Sequence, residues 1–436
     1  MVKPMMEAVS GGRRDFARRL LLGGSALGAY AGLLARPGLA ATRPLPLPEA
    51  SGGGDERFWT AVKGQFVFPA DVAVMNAANL CPAPFAVLEA TANQADLDHD
   101  LSPRNRERMT AGKETTRALL AEVLRVAPED VLITRNTSES NNLVSSGLDL
   151  KAGDEVVLHA DNHPSNLAAW QQKAKRFGFT VKTVPMVNPH PGAEQLVRAF
   201  AATLGPRSKV LSFTHISSTV GDVFPARELC RLARERGVLS VVDGAQSFGL
   251  LDVDLSDMQP DFYSGSGHKW PCGPKETGVL YVSKAAQGRF WPSIISAYPG
   301  ATGLSATCEA LGQRDEPAIA GFAEALRFQG RIGRPLIARR AQEMAQALME
   351  SLGKMKGVRL WTHPDPQRSH AVVSFDVGGL DPAKLQASLY EKDAVVCATR
   401  PGKDRPGIRL SPHLYNTHAE VERALAGIGR LLAQGV

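Results

Sequence analysis

The sequence predicts an α/β protein, with a large domain on a mainly parallel sheet followed by a smaller α+β domain. Two observations predict it. Short apolar runs of strand length (131–134, 155–159, 209–214, 239–242 and 262–264) alternate with stretches of helical spacing such as 137–148, 167–177 and 226–236, as in repeated strand–helix–strand units. After about residue 332 the order becomes helix, strand (371–377), helix (382–391), two strands (394–398 and 407–410) and a closing helix (418–432). That succession suits a lid of mixed strand pairing. Ahead of the first unit come a short strand at 72–75 and helices at 85–99 and 110–124, joined by the charged link 102–108.

The N-terminal stretch stands apart. Arg13-Arg14-Asp15-Phe16 precedes an apolar, small-residue run of about 16 residues, shorter than the roughly 20 needed to span a bilayer, and then Leu39-Ala40-Ala41. This reads as a twin-arginine signal peptide over 1–41, cleaved near Ala40 or Ala41, with the twin-arginine translocase as export partner and the periplasm as destination. Six basic residues against Glu7 and Asp15 give this stretch four of the chain's six net positive charges, so a nucleic-acid reading loses its support. Residues 42–70 read as a flexible, Pro- and Gly-rich leader and an N-terminal segment. Five cysteines without a CxxC pair give no legible disulfide framework.

Chemistry concentrates between 239 and 283. Asp243 ends an apolar strand, where α/β sheets place ligands. The next strand runs into Ser264-Gly-Ser266-Gly-His268-Lys269, a loop whose glycines admit an anion close to the backbone. A lysine deprotonated by burial and neighbouring positive charge becomes a nucleophile, and its commonest covalent partner in such a loop is the aldehyde of pyridoxal phosphate. An aspartate on the pyridine nitrogen completes that chemistry. Upstream, Thr137 and Ser138 open a helix whose exposed N–H groups suit a phosphate.

Val242-Asp243-Gly-Ala-Gln246, Ser266-Gly-His268-Lys269 and Gly273-Pro274-Lys275 with Gly278 together resemble the core signature of the class V aminotransferases, the cysteine desulfurase and isopenicillin N epimerase group, over roughly residues 70 to 430. The resemblance implies the pyridoxal phosphate-dependent transferase fold of type I. Its large domain (71–330) holds a mainly parallel seven-stranded sheet, and the smaller domain spans 331–436. It implies a Schiff base at Lys269, Asp243 on the ring nitrogen and His163 stacked on the ring. Cofactor contacts fall to Thr137, Ser138, Ser218, Gln246, Ser266 and His268, with Ser218 standing where the family usually has Asn. Asn79 would line the substrate side, and Arg409 would clamp the substrate carboxylate. A homodimer would bring Gln313 to the phosphate from the second subunit.

An amino acid, free or embedded in a peptide, is the expected substrate, with aminotransferase or epimerase chemistry. Desulfuration or selenocysteine cleavage is the alternative and needs a reactive thiol, for which Cys397 is the candidate. A non-catalytic binding protein of the same fold is the third reading.

Overall fold

The computed structural model describes residues 46–48, 55–69, 71–97, 100–297, 299–400 and 404–435. The signal-peptide stretch 1–41 lies outside them. Thirteen strands occur among the described residues: β1 Ala73–Val74, β2 Val131–Thr134, β3 Glu155–His159, β4 Thr180–Val184, β5 Ser208–Thr214, β6 Leu239–Asp243, β7 Phe262–Ser266, β8 Gly278–Val282, β9 Val358–Leu360, β10 Val373–Val377, β11 Val395–Val396, β12 Ala398–Arg400 and β13 Gly407–Leu410. Seven of them form the large sheet in the order β2-β8-β7-β6-β5-β3-β4. Every pairing from β7 through β4 is parallel, and β8 alone runs antiparallel between β2 and β7.

Alternation along the strands divides the core into two layers. Leu211 and Phe213 of β5, Val242 of β6 and Val279 of β8 face one cluster, whereas Val210, Val241, Leu280 and Val282 face the other. Both faces are therefore covered, the condition under which a parallel sheet is stable. The strand β4 and the helix Ala193–Thr203 that follows it have no counterpart in the sequence reading. β4 is an edge strand, exposed at Thr180 and Thr183, so its pattern lacks the continuous apolar run of its neighbours.

The second sheet is antiparallel throughout, in the order β12-β13-β10-β9. Helices Arg334–Leu352, Pro382–Asp393 and His418–Gln434 pack on it through Met344, Leu348, Leu385, Leu389, Val421 and Ile428. Two expectations are corrected here. The run 394–398 is not one strand: Val395–Val396 pairs with β1, and the chain changes sheet at Cys397, whose carbonyl accepts from Gln386 Nε2 at 2.7 Å. The charged link 102–108 is helical, because Ser102 caps it by accepting from the Asn105 N–H and Pro103 suits the first turn, so one helix spans Pro103–Leu124. Helix Glu56–Lys63 buries Phe58, Trp59 and Val62 in a cluster shared with Trp270, Leu336 and Tyr415. No helix among the described residues is long and apolar enough to cross a membrane.

Candidate active site

The C-terminal ends of β2, β3, β5, β6 and β7 lie along one edge of the large sheet, and the connections leaving them carry the predicted side chains. Asp243 closes β6 and is 1% exposed. Its Oδ2 accepts from Asn141 Nδ2 at 2.9 Å and Asn166 Nδ2 at 3.5 Å, and its Oδ1 accepts from the Ala245 N–H at 3.0 Å. Asn141 is itself fixed, since Ser264 Oγ donates to its Oδ1 at 2.9 Å. This set of donors fixes the orientation of the buried carboxylate.

Lys269 sits in a loop closed on itself: Gly273 N–H donates to Gly267 C=O at 2.8 Å and Cys272 N–H to Lys269 C=O at 2.9 Å. The following residue is anchored from three sides. Trp270 Nε1 donates to Gln246 Oε1 at 2.8 Å, and its carbonyl meets Gln329 Nε2 at 2.8 Å and His413 Nε2 at 2.7 Å. Loss of water around the Lys269 ammonium brings its pKa down to about 8; Asp243 opposes the fall and Arg409 adds to it. An appreciable fraction is thus the free amine near neutrality. Burial also lowers His163, with Asp243 opposing and Lys269, Arg409 and Arg400 adding to the fall, so its ring is neutral. His163 caps helix Pro164–Phe177, its Nδ1 accepting from the Ser165 N–H at 3.2 Å. The His268 ring is pushed down to about 4 by burial and the neighbouring Lys269 and Lys275.

At the other end of the site, Thr137 Oγ1 and Ser266 Oγ are 2.8 Å apart, and the Thr137 N–H donates to Ser266 Oγ at 2.9 Å. Both belong to the start of helix Thr137–Gly147 and the end of β7, with exposed Ser138 beside them. Gly278 permits this approach: a Cβ there would lie 2.8 Å from the Asn136 Cα.

Arg409, on β13, is 7% exposed. Its Nη1 donates to the Ser218 carbonyl at 2.7 Å and its Nη2 reaches Asn76 Oδ1 at 3.4 Å, while its buried Nε has no partner among the described residues. Burial, and then Arg400, lower its pKa to about 10, still cationic at neutral pH.

Some predicted residues take other places. Asn79 is exposed, and Asn76 is the residue that meets Arg409. Gln246 spends its amide on the Ala78 carbonyl (3.0 Å) and Trp270. Gln313, expected to act from a second subunit, is exposed and lines a surface cleft with Arg135, Glu139 and Arg314. Cys397 is 1% exposed, and burial pushes its thiol up to about 12, which makes it a structural thiol. The sequence reading passed over Asn141 and Asn166. The signal for Asn141 is its spacing of four residues from Thr137 on one helix face.

A parallel sheet that gathers a depressed lysine, a hydrogen-bonded aspartate and a hydroxyl-lined helix start defines a pyridoxal phosphate enzyme of fold type I. The class V aminotransferase model matches residues 83–424, and the chain belongs to that family. It is 30% identical over 391 residues to an isopenicillin N epimerase from Amycolatopsis lactamdurans, covering 86% of this chain and 98% of that one. It is 31% identical over 341 residues to a probable cysteine desulfurase from Pyrococcus abyssi, covering 73% and 83%. Among solved structures, a C-DES variant with glycine covalently linked to the pyridoxal phosphate cofactor superposes with a TM-score of 0.78 at 26% identity, covering 84% of this chain and 98% of that one.

The residues fit pyridoxal phosphate. The Thr137 and Ser266 hydroxyls and the helix start suit its phosphate, Asp243 its ring nitrogen and Lys269 its aldehyde. The neutral His163 ring, close enough to feel the charges of both Asp243 and Lys269, suits its face.

Proposed function

We propose that this chain binds an amino acid, free or within a peptide, and moves protons at its α-carbon in an epimerase or aminotransferase reaction. Bound pyridoxal phosphate supplies the electron sink that acidifies the α-carbon. Asp243, fixed by Asn141 and Asn166, would hold a proton on the ring nitrogen. Lys269 Nζ, with its pKa near 8, would take and return the α-proton as general base and acid. Arg409 would hold the substrate carboxylate, for which its unpartnered Nε leaves a donor free.

The state of the thiols carries this reading over desulfuration. All five cysteines are free and buried. Cys397 is pushed up to about 12, and near Lys269 Cys81 accepts from Tyr415 Oη at 3.5 Å while burial and Cys81 raise Cys272. Burial thus keeps Cys397, Cys272, Cys230 and Cys308 from the thiolate form that sulfur transfer requires. The kinship supports either branch, because the relatives are named for both reactions.

The test is incubation of the purified, pyridoxal phosphate-loaded protein with a panel of amino acids and peptides in deuterated water. Deuterium at the α-carbon with inversion, or amino-group transfer, is expected; sulfide release from cysteine that depends on Cys397 would sink the proposal. We extend it to export through residues 1–41 and to a homodimer in which the exposed turn bearing Gln313 meets the partner subunit. Periplasmic fractionation of the full chain against an Arg13→Lys, Arg14→Lys variant tests the first, and sedimentation the second.

A further inference from the structure

The face of the small sheet that looks into the site carries a second arginine. In the β12–β13 register Ala398 lies opposite Arg409 and Arg400 opposite Gly407, so Arg400 and Arg409 are diagonal neighbours on one face. Their cross-strand partners offer no competing polar side chain. At Gly407 none larger than hydrogen fits, because a Cβ would sit 2.0 Å from the Phe375 carbonyl oxygen. The same face directs Ser374, opposite Arg409 on β10, onto the Thr219 carbonyl at 2.5 Å, beside the Ser218 carbonyl that Arg409 holds.

The guanidinium of Arg400 is half-buried, its Nε is buried without a partner, and no described residue forms a hydrogen bond or ion pair with it. The carboxylate whose charge reaches Arg400, Asp161, is already committed. Asp161 receives Arg405 at 2.6 and 3.4 Å, Ser217 Oγ at 2.5 Å and Thr219 Oγ1 at 2.8 Å. Asp222, beside it, is raised to about 8 by burial and by Asp161, and so is largely protonated at neutral pH. Desolvating a guanidinium without an anion is costly, and a fold keeps such a group where a ligand supplies the anion.

We propose that Arg400 is a second anion subsite and that the substrate is an amino compound with two carboxylates, one held by Arg409 and the other by Arg400. This rests on the reading of Arg409 as the carboxylate clamp given above. Diagonal neighbours stand about 7–8 Å apart at the backbone, a spacing that the carboxylates of a short dicarboxylic chain can bridge once two flexible side chains converge on it.

The test is calorimetric titration of the pyridoxal phosphate-loaded full chain with the unreactive dicarboxylates glutarate and adipate and with the monocarboxylates pentanoate and hexanoate. At least one diacid should bind about ten- to a hundredfold tighter than the monoacid of the same length, the value of a charged hydrogen-bond pair. Arg400→Gln should erase that preference while leaving monoacid affinity within about threefold. Arg400→Lys, which keeps the charge without the planar fork, should retain part of it. Equal binding of diacids and monoacids by the unaltered protein overturns the proposal, whether or not the variants fold. So does an Arg400→Gln variant that weakens both alike, which would make Arg400 a second hand on one carboxylate. A protein that lacks the borohydride-sensitive chromophore of Lys269 yet prefers diacids would instead sink the cofactor reading and leave the subsite standing.

Discussion

At the strand ends of the large sheet Asp243 accepts three hydrogen bonds and the Thr137 and Ser266 hydroxyls meet each other, whereas on the small sheet Arg409 and Arg400 each keep a buried Nε without a partner. The first region is preorganised by the chain alone, so its geometry is set before any substrate arrives. The second keeps donors without a partner among the described residues, and affinity and selectivity should reside there. The two regions should therefore respond to substitution in different observables.

Asp243→Asn is the severest test of the preorganised half. It keeps the shape and removes the charge, and kcat should fall by about a hundredfold or more, with substrate affinity nearly unchanged. A variant that loses affinity and keeps kcat would break the contrast. In the substrate half, Arg409→Lys should raise KM by roughly ten- to thirtyfold, because an ammonium cannot reproduce the planar two-pronged contact, while the visible spectrum of the bound cofactor stays as it was. Asn141→Ala removes one of the donors to Asp243. A loss of about tenfold in kcat, without a matching rise in KM, would show that the amide acts through the aspartate.

Much of the first region was legible in the chain, because a strand-end aspartate and a glycine-flanked lysine have few other uses in that spacing. Asn141 and Asn166 were not, since an asparagine within a helix carries no mark of which way it faces until Asp243 is placed against it. The second region was half legible. Arg409 stood in a recognisable element, but Arg400 could be assigned only once the break at Cys397 put β12 beside β13 and fixed the register. Pairing register is a tertiary property, and a run such as 394–400 fits one strand or two equally well by periodicity.

The smallest expected effect is on pH. With its folded pKa near 8, below the ordinary 10.5, Lys269 loses its proton as pH rises through 8. Capture of pyridoxal phosphate by the cofactor-free protein should accelerate about fivefold between pH 7 and 8 and level off above pH 9, as the neutral fraction does. An inflection near 10.5 would mean that Lys269 is solvated and that the contrast between the two regions is drawn wrongly.

The most direct measurement is reduction of the pyridoxal phosphate-loaded protein with borohydride, followed by mass mapping of its peptides. A pyridoxyl phosphate adduct on Lys269 alone, with loss of the visible band, is the predicted result. An adduct on another lysine such as Lys275, or a protein that stays colourless after reconstitution, would contradict the assignment of Lys269 and Asp243 as the catalytic pair.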